Sequence, residues 1–193
     1  MDNHTICALA TATGGAIGIV RVSGEKAIEI TDCIFKSTRL KTLCDAKGNS
    51  LHYGEVHDKE GNVIDEVLVS IFRSPHSYTG EDSTEISCHG SAFILGQVIK
   101  ALIDVGCRQA EPGEFTKRAY LNGKMDLSQA EAVADLIASS NKASHQLALN
   151  QLKGHFSSEL SQLREQLLKI TSLLELELDF SDHEELEFAD RGE

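Results

Sequence analysis

One short stretch decides the fold of the first part of the chain: Ile17-Gly18-Ile19-Val20-Arg21-Val22-Ser23-Gly24. Its β-branched residues predict a strand. Ser23-Gly24 then predicts the beginning of a helix, because apolar residues recur at positions 27, 28, 30 and 34. A second strand is predicted just before this stretch, from Thr5 to Ala10, with a turn at Gly14-Gly15.

Further strands and helices follow without a regular repeat. Apolar runs predict strands over 51–56, 63–72 and 84–88, and the polar loop 58–62 predicts a hairpin between the first two. Helices are predicted over 92–105 and 115–121, which end at Gly106 and at Asn122-Gly123. This mixture favours an α+β domain over a series of strand–helix–strand units.

The character of the sequence changes after Gly123, where helical signals replace mixed ones. We therefore expect a mixed α/β-sheet domain over residues 1–120 and long α-helices of a second, helical domain over 121–193. Ser128 and Glu131 have the spacing of a capping box at the beginning of a helix, with Asp126 as the alternative cap.

The run 142–178 is the longest periodic segment of the chain. It has no proline, and its apolar residues recur in steps of three or four, which predicts one amphipathic helix about 55 Å long. Such a helix would extend beyond the first domain, so its apolar stripe would need a partner from a later segment or a second subunit. The alternative is two helices with a kink at Gly154.

Composition and charge exclude several classes of protein. The 193 residues carry 18 basic and 30 acidic side chains, a net charge of −12, which argues against binding polyanions by bulk attraction. No apolar run approaches the roughly 20 residues of a membrane span. The first residues show neither a basic nor an apolar stretch, so we expect no secretory signal. The five cysteines are odd in number and have no metal-knuckle spacing, which predicts reduced thiols in a cytoplasmic protein without a metal site.

Arg21 lies inside an otherwise apolar predicted strand. A guanidinium there is costly unless it meets an anion or a carboxylate. The alternative is a strand arginine whose side chain reaches solvent. The nearby glycines at 14, 15 and 18 would allow the backbone to approach a ligand closely.

Glu85 lies in the predicted strand over 84–88. A carboxylate fixed on a strand can accept two parallel hydrogen bonds from the amino-pyrimidine edge of a pterin or a guanine. The alternative is a glutamate at a strand edge that faces water. Cys88 and His89 have the chemistry of a nucleophile or metal ligands, but adjacent strand residues point to opposite faces. We therefore expect no Cys–His dyad, and expect His89 to lie in a loop at the strand end.

A small basic cluster stands out in the otherwise acidic sequence. Lys117, Arg118 and Lys124 follow the turn at Pro112-Gly113. Their charges suit a carboxylate or a phosphate. The alternative is an ordinary helix C-terminus, where cations are favoured by the helix dipole.

These clusters form motifs in a fixed order. The motifs are Asn3–Ile6, Gly18–Gly24, Tyr78–Asp82, Glu85–Gly90 and Pro112–Ala119, the last continuing into Leu121–Ala132. The final stretch is long and specific. In this order and spacing the motifs resemble the N-terminal region of the MnmE (TrmE) family of bacterial tRNA modification GTPases, over essentially the whole chain.

The resemblance implies both a fold and a ligand. It implies an N-terminal α+β domain similar to folate-dependent aminomethyltransferases, which binds 5-formyltetrahydrofolate and forms a homodimer. Arg21, Glu85 and Lys124 match the folate-site residues of the family by motif, while no catalytic residue is assigned. Glu85 would bind the pterin edge, and Arg21 and Lys124 would bind the glutamyl carboxylates or orient the formyl group.

The resemblance also implies an activity for the full-length family protein. In the family a Ras-like GTPase domain, which uses GTP, Mg²⁺ and K⁺, interrupts the helical domain. The dimer works with the flavoprotein MnmG on tRNA and modifies the wobble uridine at carbon 5 to carboxymethylaminomethyl or aminomethyl uridine. The present sequence contains no phosphate-loop motif. We therefore expect no GTP hydrolysis by this chain alone, and only weak tRNA binding.

Two other functions are compatible with the residues. One is a dimerisation scaffold without catalysis, and the other is a free-standing folate-dependent one-carbon transferase. The sequence also departs from the family pattern at Ser91, where a glycine is usual, and in its first loop, which lacks the usual prolines. Both departures bear on the shape of the expected folate pocket.

Overall fold

The structure, a computed structural model, describes residues 4–37 and 39–179. The chain divides into two compact units, Met1–Met125 and Asp126–Glu193. The first unit combines a mixed sheet with helices and the second is helical, which confirms the predicted α+β fold class.

The first unit is built on a seven-stranded sheet. Its strands are β1 (Ile6–Leu9), β2 (Ile17–Ser23), β3 (Phe35–Lys36), β4 (Ser50–His57), β5 (Val63–Phe72), β6 (Ser83–His89) and β7 (Arg108–Gln109). They lie in the order β3-β4-β5-β6-β2-β1-β7, and every pair is antiparallel except β1 with β7. The two-residue strands β3 and β7 were not predicted, because two residues are too short to show a period.

The helices of this unit are α1 (Ala27–Ile34), α2 (Ala92–Asp104) and α3 (Glu114–Leu121). The core joins one face of the sheet to α1 and α2: Val20 and Val22 of β2 are fully buried in one cluster with Ile28 of α1 and Leu95 of α2. Because side chains alternate along a strand, Arg21 points to the opposite face. That second face carries the candidate site.

The glycines at 14, 15 and 18 differ in their surroundings: Gly18 is buried, while Gly14 and Gly15 are exposed, so a close approach of a ligand to those two stays a prediction. The amide of Gly90 donates to the carbonyl of Ala16 at 3.1 Å, and a β-carbon at Gly90 would collide with the carbonyl of Gly15. A β-carbon at Gly18 would lie 2.6 Å from the Leu95 side chain. Gly18 therefore allows close approach of a core side chain, and Gly90 allows close approach of the neighbouring backbone.

The second unit begins with the helix α4 (Leu127–Ala138). Asp126 caps it: its side chain accepts from the Gln129 amide at 2.8 Å, and the Gln129 side chain accepts from the Asp126 amide at 2.9 Å. The predicted Ser128–Glu131 capping box is therefore wrong, and the alternative prediction, Asp126 as the cap, is confirmed. Ser128 already lies in the first helical turn, where its own backbone is helical and cannot serve as a cap.

The prediction of a single long helix over 142–178 is also wrong. Two helices, α5 (Lys142–Leu152) and α6 (His155–Asp179), are separated at Gly154, which has a φ of +76°. The apolar period continues across this break, so periodicity alone could not locate it. The 25-residue α6 is about 37 Å long.

The apolar stripe of α6 is exposed in this chain. Each residue of the stripe is between 48% and 73% exposed to solvent. These residues are Leu160, Leu163, Leu167, Ile170, Leu174 and Leu178. Over residues 4–37 and 39–179, no helix has the length and apolar character needed to cross a membrane.

Candidate functional site

Arg21 and Glu85 form the centre of the candidate site. The register of β2 against β6 places them directly opposite each other. Nε of Arg21 donates to Oε1 of Glu85 at 2.9 Å, and Nη2 forms an ion-pair contact of 2.8 Å with the same oxygen. The side chains keep 26% and 24% of their exposure. Glu85 therefore supplies the acidic partner that an arginine in this strand requires.

The geometry of this pair leaves the second carboxylate oxygen open. Among the described residues, no side chain or backbone amide is hydrogen-bonded to Oε2 of Glu85. Arg21 engages only Oε1, while a carboxylate has two oxygens that can accept hydrogen bonds. The site thus offers a ligand one unengaged acceptor, held in place by the ion pair.

Two aromatic rings flank the guanidinium of Arg21. Its Cζ lies 5.1 Å from the centre of the Tyr78 ring and 5.6 Å from that of Phe115, both within the range of cation–π attraction. Tyr78 is held in turn by a 2.9 Å hydrogen bond between its hydroxyl and that of Thr116. Both aromatic residues lie within the motifs given above, but their role could not be predicted, because no local sequence pattern links them to Arg21.

Lys124 lies apart from this pair. Its Nζ donates to the carbonyl of Pro75 at 2.9 Å, and a β-carbon at Gly80 would lie 3.2 Å from its Cγ. Gly80 also has a φ of +80°. Glycine therefore suits this position both because of the backbone conformation and because Lys124 lies close to it. No hydrogen bond or ion pair in the described part of the chain joins Lys124 to Arg21 or Glu85.

The segment 73–82, which we call the site loop, connects the two parts of the site. Tyr78 of this loop contacts Arg21, while Pro75 and Gly80 contact Lys124. The structure therefore brings two of the three predicted residues, Arg21 and Glu85, together and places the third, Lys124, against the site loop. Within the described residues, the charge of Lys124 meets a neutral carbonyl and no carboxylate.

The basic cluster is only partly available to a ligand. Arg118 is 8% exposed, and it pairs with Glu81 and Glu114 at 3.2 Å each. Arg118 thus meets carboxylates, as the charge of the cluster suggested, but they belong to the protein itself and neutralise it there. Lys117 is exposed.

Glu114 is the most strongly perturbed carboxylate of this region. Arg108 donates to both of its oxygens, and Arg118 donates to one of them. The hydrogen bonds from Arg108 lower the pKa of Glu114 to about 2, against the opposing effect of burial. Sequence reasoning did not find this network, because its members lie on β7, α3 and the site loop.

Cys88 and His89 point to opposite faces of the sheet, as predicted, but the predicted loop position of His89 is wrong, because it is the last residue of β6 and pairs with Ile17. Cys88 is buried, and burial raises the pKa of its thiol to about 11. His89 is exposed and pairs through Nδ1 with Asp65 at 2.8 Å. No dyad exists, and the described residues contain no cluster of three or more His, Cys, Asp or Glu side chains arranged to hold a metal ion.

Two open hollows adjoin the site. One, of about 320 Å³, lies on the Glu85 face of the sheet and is lined by Ile17, Tyr53, Glu66, Val67, Leu68, Ser87, Cys88 and His89. The other, of about 560 Å³ beside the site loop, is lined by Glu25, Ser74, Gly80, Glu81, Asp82 and Asn122. The first is mainly apolar with a polar rim and suits a flat heterocycle. The second contains three acidic residues and disfavours an anionic ligand.

Comparison with known proteins agrees with this division of the chain. Residues 5–124 match the family described as GTP-binding protein TrmE N-terminus, and residues 127–193 match the MnmE helical domain. Among similar curated proteins, the tRNA modification GTPase MnmE of Bacteroides thetaiotaomicron is 62% identical over 193 residues, which is 100% of this chain and 41% of that protein. The protein of the same name from Flavobacterium johnsoniae is 55% identical over 192 residues, or 99% of this chain and 41% of the relative.

The chain thus spans about two fifths of the length of these curated relatives. The N-terminal family covers well over half of the chain, including all the residues of the candidate site. The chain therefore belongs to the TrmE N-terminus family.

Proposed function

We propose that this chain is the N-terminal part of a tRNA modification GTPase, in which its sheet domain binds 5-formyltetrahydrofolate and forms a homodimer. The full-length protein would act with the flavoprotein MnmG on carbon 5 of the wobble uridine in tRNA, in the cytoplasm. The names of the relatives support tRNA modification and GTP hydrolysis for those proteins. GTP, Mg²⁺ and K⁺ would bind outside the present sequence, which has no phosphate-loop motif.

The observation that carries the folate proposal is the half-buried carboxylate of Glu85. Its Oε1 is fixed by Arg21, so Oε2 is held ready to accept an N–H from a pterin ring. The apolar hollow on the same sheet face includes Ser87, which lies two residues along β6 from Glu85. A heterocycle in that hollow would have its polar edge toward the carboxylate.

Lys124 suits the other end of the same ligand. Its ammonium lacks a carboxylate partner among the described residues, so its charge remains available. Folate carries a glutamyl tail with carboxylates, and an uncompensated cation at the margin of a site attracts such groups. We assign the tail to Lys124 and not to the acidic hollow beside the site loop.

Calorimetric titration of the chain with 5-formyltetrahydrofolate tests the proposal. Glu85→Gln removes the charge but keeps the shape, and loss of a charged hydrogen bond of about 1.5–3 kcal/mol should weaken binding by roughly 10- to 150-fold. Glu29→Gln is the matched control, since Glu29 is exposed on α1, on the other side of the sheet. If the wild-type chain does not bind the folate, the proposal fails. If Glu85→Gln binds as well as wild type, Glu85 does not belong to the site.

A dimerisation scaffold is the second candidate, and one observation favours it. The sheet face that carries the site also exposes large apolar side chains, with Ile17 65%, Leu51 59% and Tyr53 58% exposed. Contiguous apolar surface of this kind marks interaction sites. A stable dimer in sedimentation analysis without any folate binding would favour the scaffold over the folate module. A free-standing one-carbon transferase would require turnover of a one-carbon donor by this chain alone.

A further inference from the structure

The two rings that flank Arg21 come from separate elements. Tyr78 lies on the site loop, and Phe115 lies on α3. We propose that Glu81 is a positioning residue of the folate site: its carboxylate fastens the site loop to α3 and so fixes both rings around Arg21. This inference rests on the proposed folate function, although Glu81 itself need not touch the folate.

The carboxylate of Glu81 joins three elements. Ser23 at the end of β2 donates its hydroxyl to Oε2 at 2.8 Å, and Nη1 of Arg118 lies 3.2 Å from both oxygens. Thr79 completes the arrangement with a 2.6 Å contact between its hydroxyl and that of Ser23. Because Ser23 has one hydroxyl proton, which it donates to Glu81, Thr79 is the donor in that contact. The site loop is therefore bound to the strand that carries Arg21 and to the helix that carries Phe115.

Arg118 is a fixed anchor for this link. It is 8% exposed, and its Nη2 donates to the backbone carbonyl of His4 at 2.8 Å and to Glu114 at 3.2 Å. Glu114 is held in turn by Arg108 on β7. A guanidinium fixed on both sides cannot follow the site loop if the loop moves, so the Glu81 contact determines where the loop lies.

Cationic donors also hold the first part of the site loop, since Arg73 donates to the carbonyls of Cys44 and Ala46 and Lys124 donates to that of Pro75. Near Tyr78 the other bonds that leave the loop are neutral. Asn122 donates to the carbonyl of Thr79 at 2.8 Å, and Tyr78 meets Thr116 at 2.9 Å; both are neutral hydrogen bonds. The Arg73–Asp82 pair is 3.9 Å apart, and the Arg73 side chain is 40% exposed. The Glu81–Arg118 pair is charged and largely shielded from solvent, and charge-assisted bonds are about twice as strong as neutral ones.

Loss of the Glu81 charge should therefore loosen the site loop and not the sheet. Tyr78 would leave the face of Arg21, and the guanidinium would no longer hold Oε1 of Glu85 in one place. Folate affinity should fall although Glu85, Arg21 and Lys124 are all present. We expect Glu81→Gln to raise the dissociation constant for 5-formyltetrahydrofolate about tenfold, within the range for loss of a charged hydrogen bond.

A double-mutant cycle separates positioning from a general loss of stability. Titrations are made with wild type, Glu81→Gln, Tyr78→Leu and the double variant, and Glu111→Gln serves as a control because Glu111 is exposed just before α3. If Glu81 acts through Tyr78, the Glu81 substitution should cost little in the Tyr78→Leu background. Additive effects, or wild-type affinity in Glu81→Gln, would overturn the inference.

Hydrogen–deuterium exchange gives a readout that does not depend on the ligand. Peptides that cover residues 73–82 should exchange faster in Glu81→Gln, while peptides from β4 and β5 should exchange at the wild-type rate. Unchanged exchange in the site loop would overturn the positioning role even if folate never binds. Absence of folate binding by the wild type, together with faster loop exchange in the variant, would refute the proposed function and leave the link between Glu81 and the loop in place. Glu81→Asp, which keeps the charge, provides a milder variant if Glu81→Gln does not fold.

Discussion

Replacement of Gly154 by alanine distinguishes the observed pair of helices from a continuous one, because the two arrangements predict effects of opposite sign. In the structure Gly154 has a φ of +76°, a left-handed conformation that costs an L-residue about 1–2 kcal/mol. A β-carbon there would also lie 3.3 Å from Nε2 of Gln129. Gln129 cannot easily move away, because it belongs to the α4 capping box and donates to the carbonyl of Leu152 at 2.9 Å.

The net effect follows from these contributions. Alanine restricts the unfolded chain, which offsets roughly 0.4–1 kcal/mol of the strain. We therefore expect Gly154→Ala to lower the free energy of unfolding by about 1 kcal/mol. If residues 142–178 formed one helix, the same substitution would remove a glycine from a helix interior and raise that free energy by about 0.5–1 kcal/mol.

Guanidinium unfolding followed by circular dichroism at 222 nm measures this difference. Gly96→Ala is the matched control, since Gly96 lies exposed within α2 and a β-carbon there has no atom within 4 Å. That variant should be more stable than wild type by about 0.5–1 kcal/mol. A Gly154→Ala chain that gains stability as Gly96→Ala does would refute the break between α5 and α6.

Two further predictions concern ionisable groups. The pKa of Glu114 is about 2 in the folded chain, below its ordinary value near 4.5, so its contribution to stability is complete above about pH 4.5 and is lost as the pH falls toward 2. Below about pH 4.5 the free energy of unfolding should therefore fall more steeply with decreasing pH in the wild type than in Glu114→Gln. Parallel pH dependences of the two proteins would contradict the ion-pair network. In a thiol titration with an aromatic disulfide reagent, the exposed Cys33 and Cys44 should react quickly. The buried Cys88, whose pKa is raised to about 11, should react only on unfolding, and equal rates for all three would contradict its burial.

The secondary structure could be predicted largely from local pattern. The five longer strands of the sheet and the helices α2 and α3 follow from β-branched runs, apolar periods and terminal glycines, and each lies within a few residues of its predicted place. The errors have local causes as well. Gly154 interrupts a period that continues across it, and Asp126 and Ser128 compete for one cap.

The candidate site could be predicted only in part, because its contacts depend on strand register. The sequence indicated that Arg21 needs an acidic partner, and that Glu85 suits a fixed acceptor. Their pairing links residues 64 apart in the chain, and nothing in the local pattern of either strand specifies it. The burial of Arg118 is a similar case, because the carboxylates that neutralise it come from the site loop and from its own helix.

If the chain binds folate as proposed, the observed pairing restricts how Glu85 would recognise the pterin. A two-pronged grip on an amino-pyrimidine edge requires one hydrogen bond to each carboxylate oxygen. Arg21 already occupies Oε1 with the Nε hydrogen bond and the close Nη2 contact, so a folate could form that pair of bonds only if the guanidinium turned partly away. The rings of Tyr78 and Phe115 offer the displaced guanidinium a favourable surface, since cation–π attraction keeps it beside the site. Arg21 would then exchange one hydrogen bond to Glu85 for contact with the ligand, which explains why an arginine, with five donors on one planar group, suits this position better than a lysine.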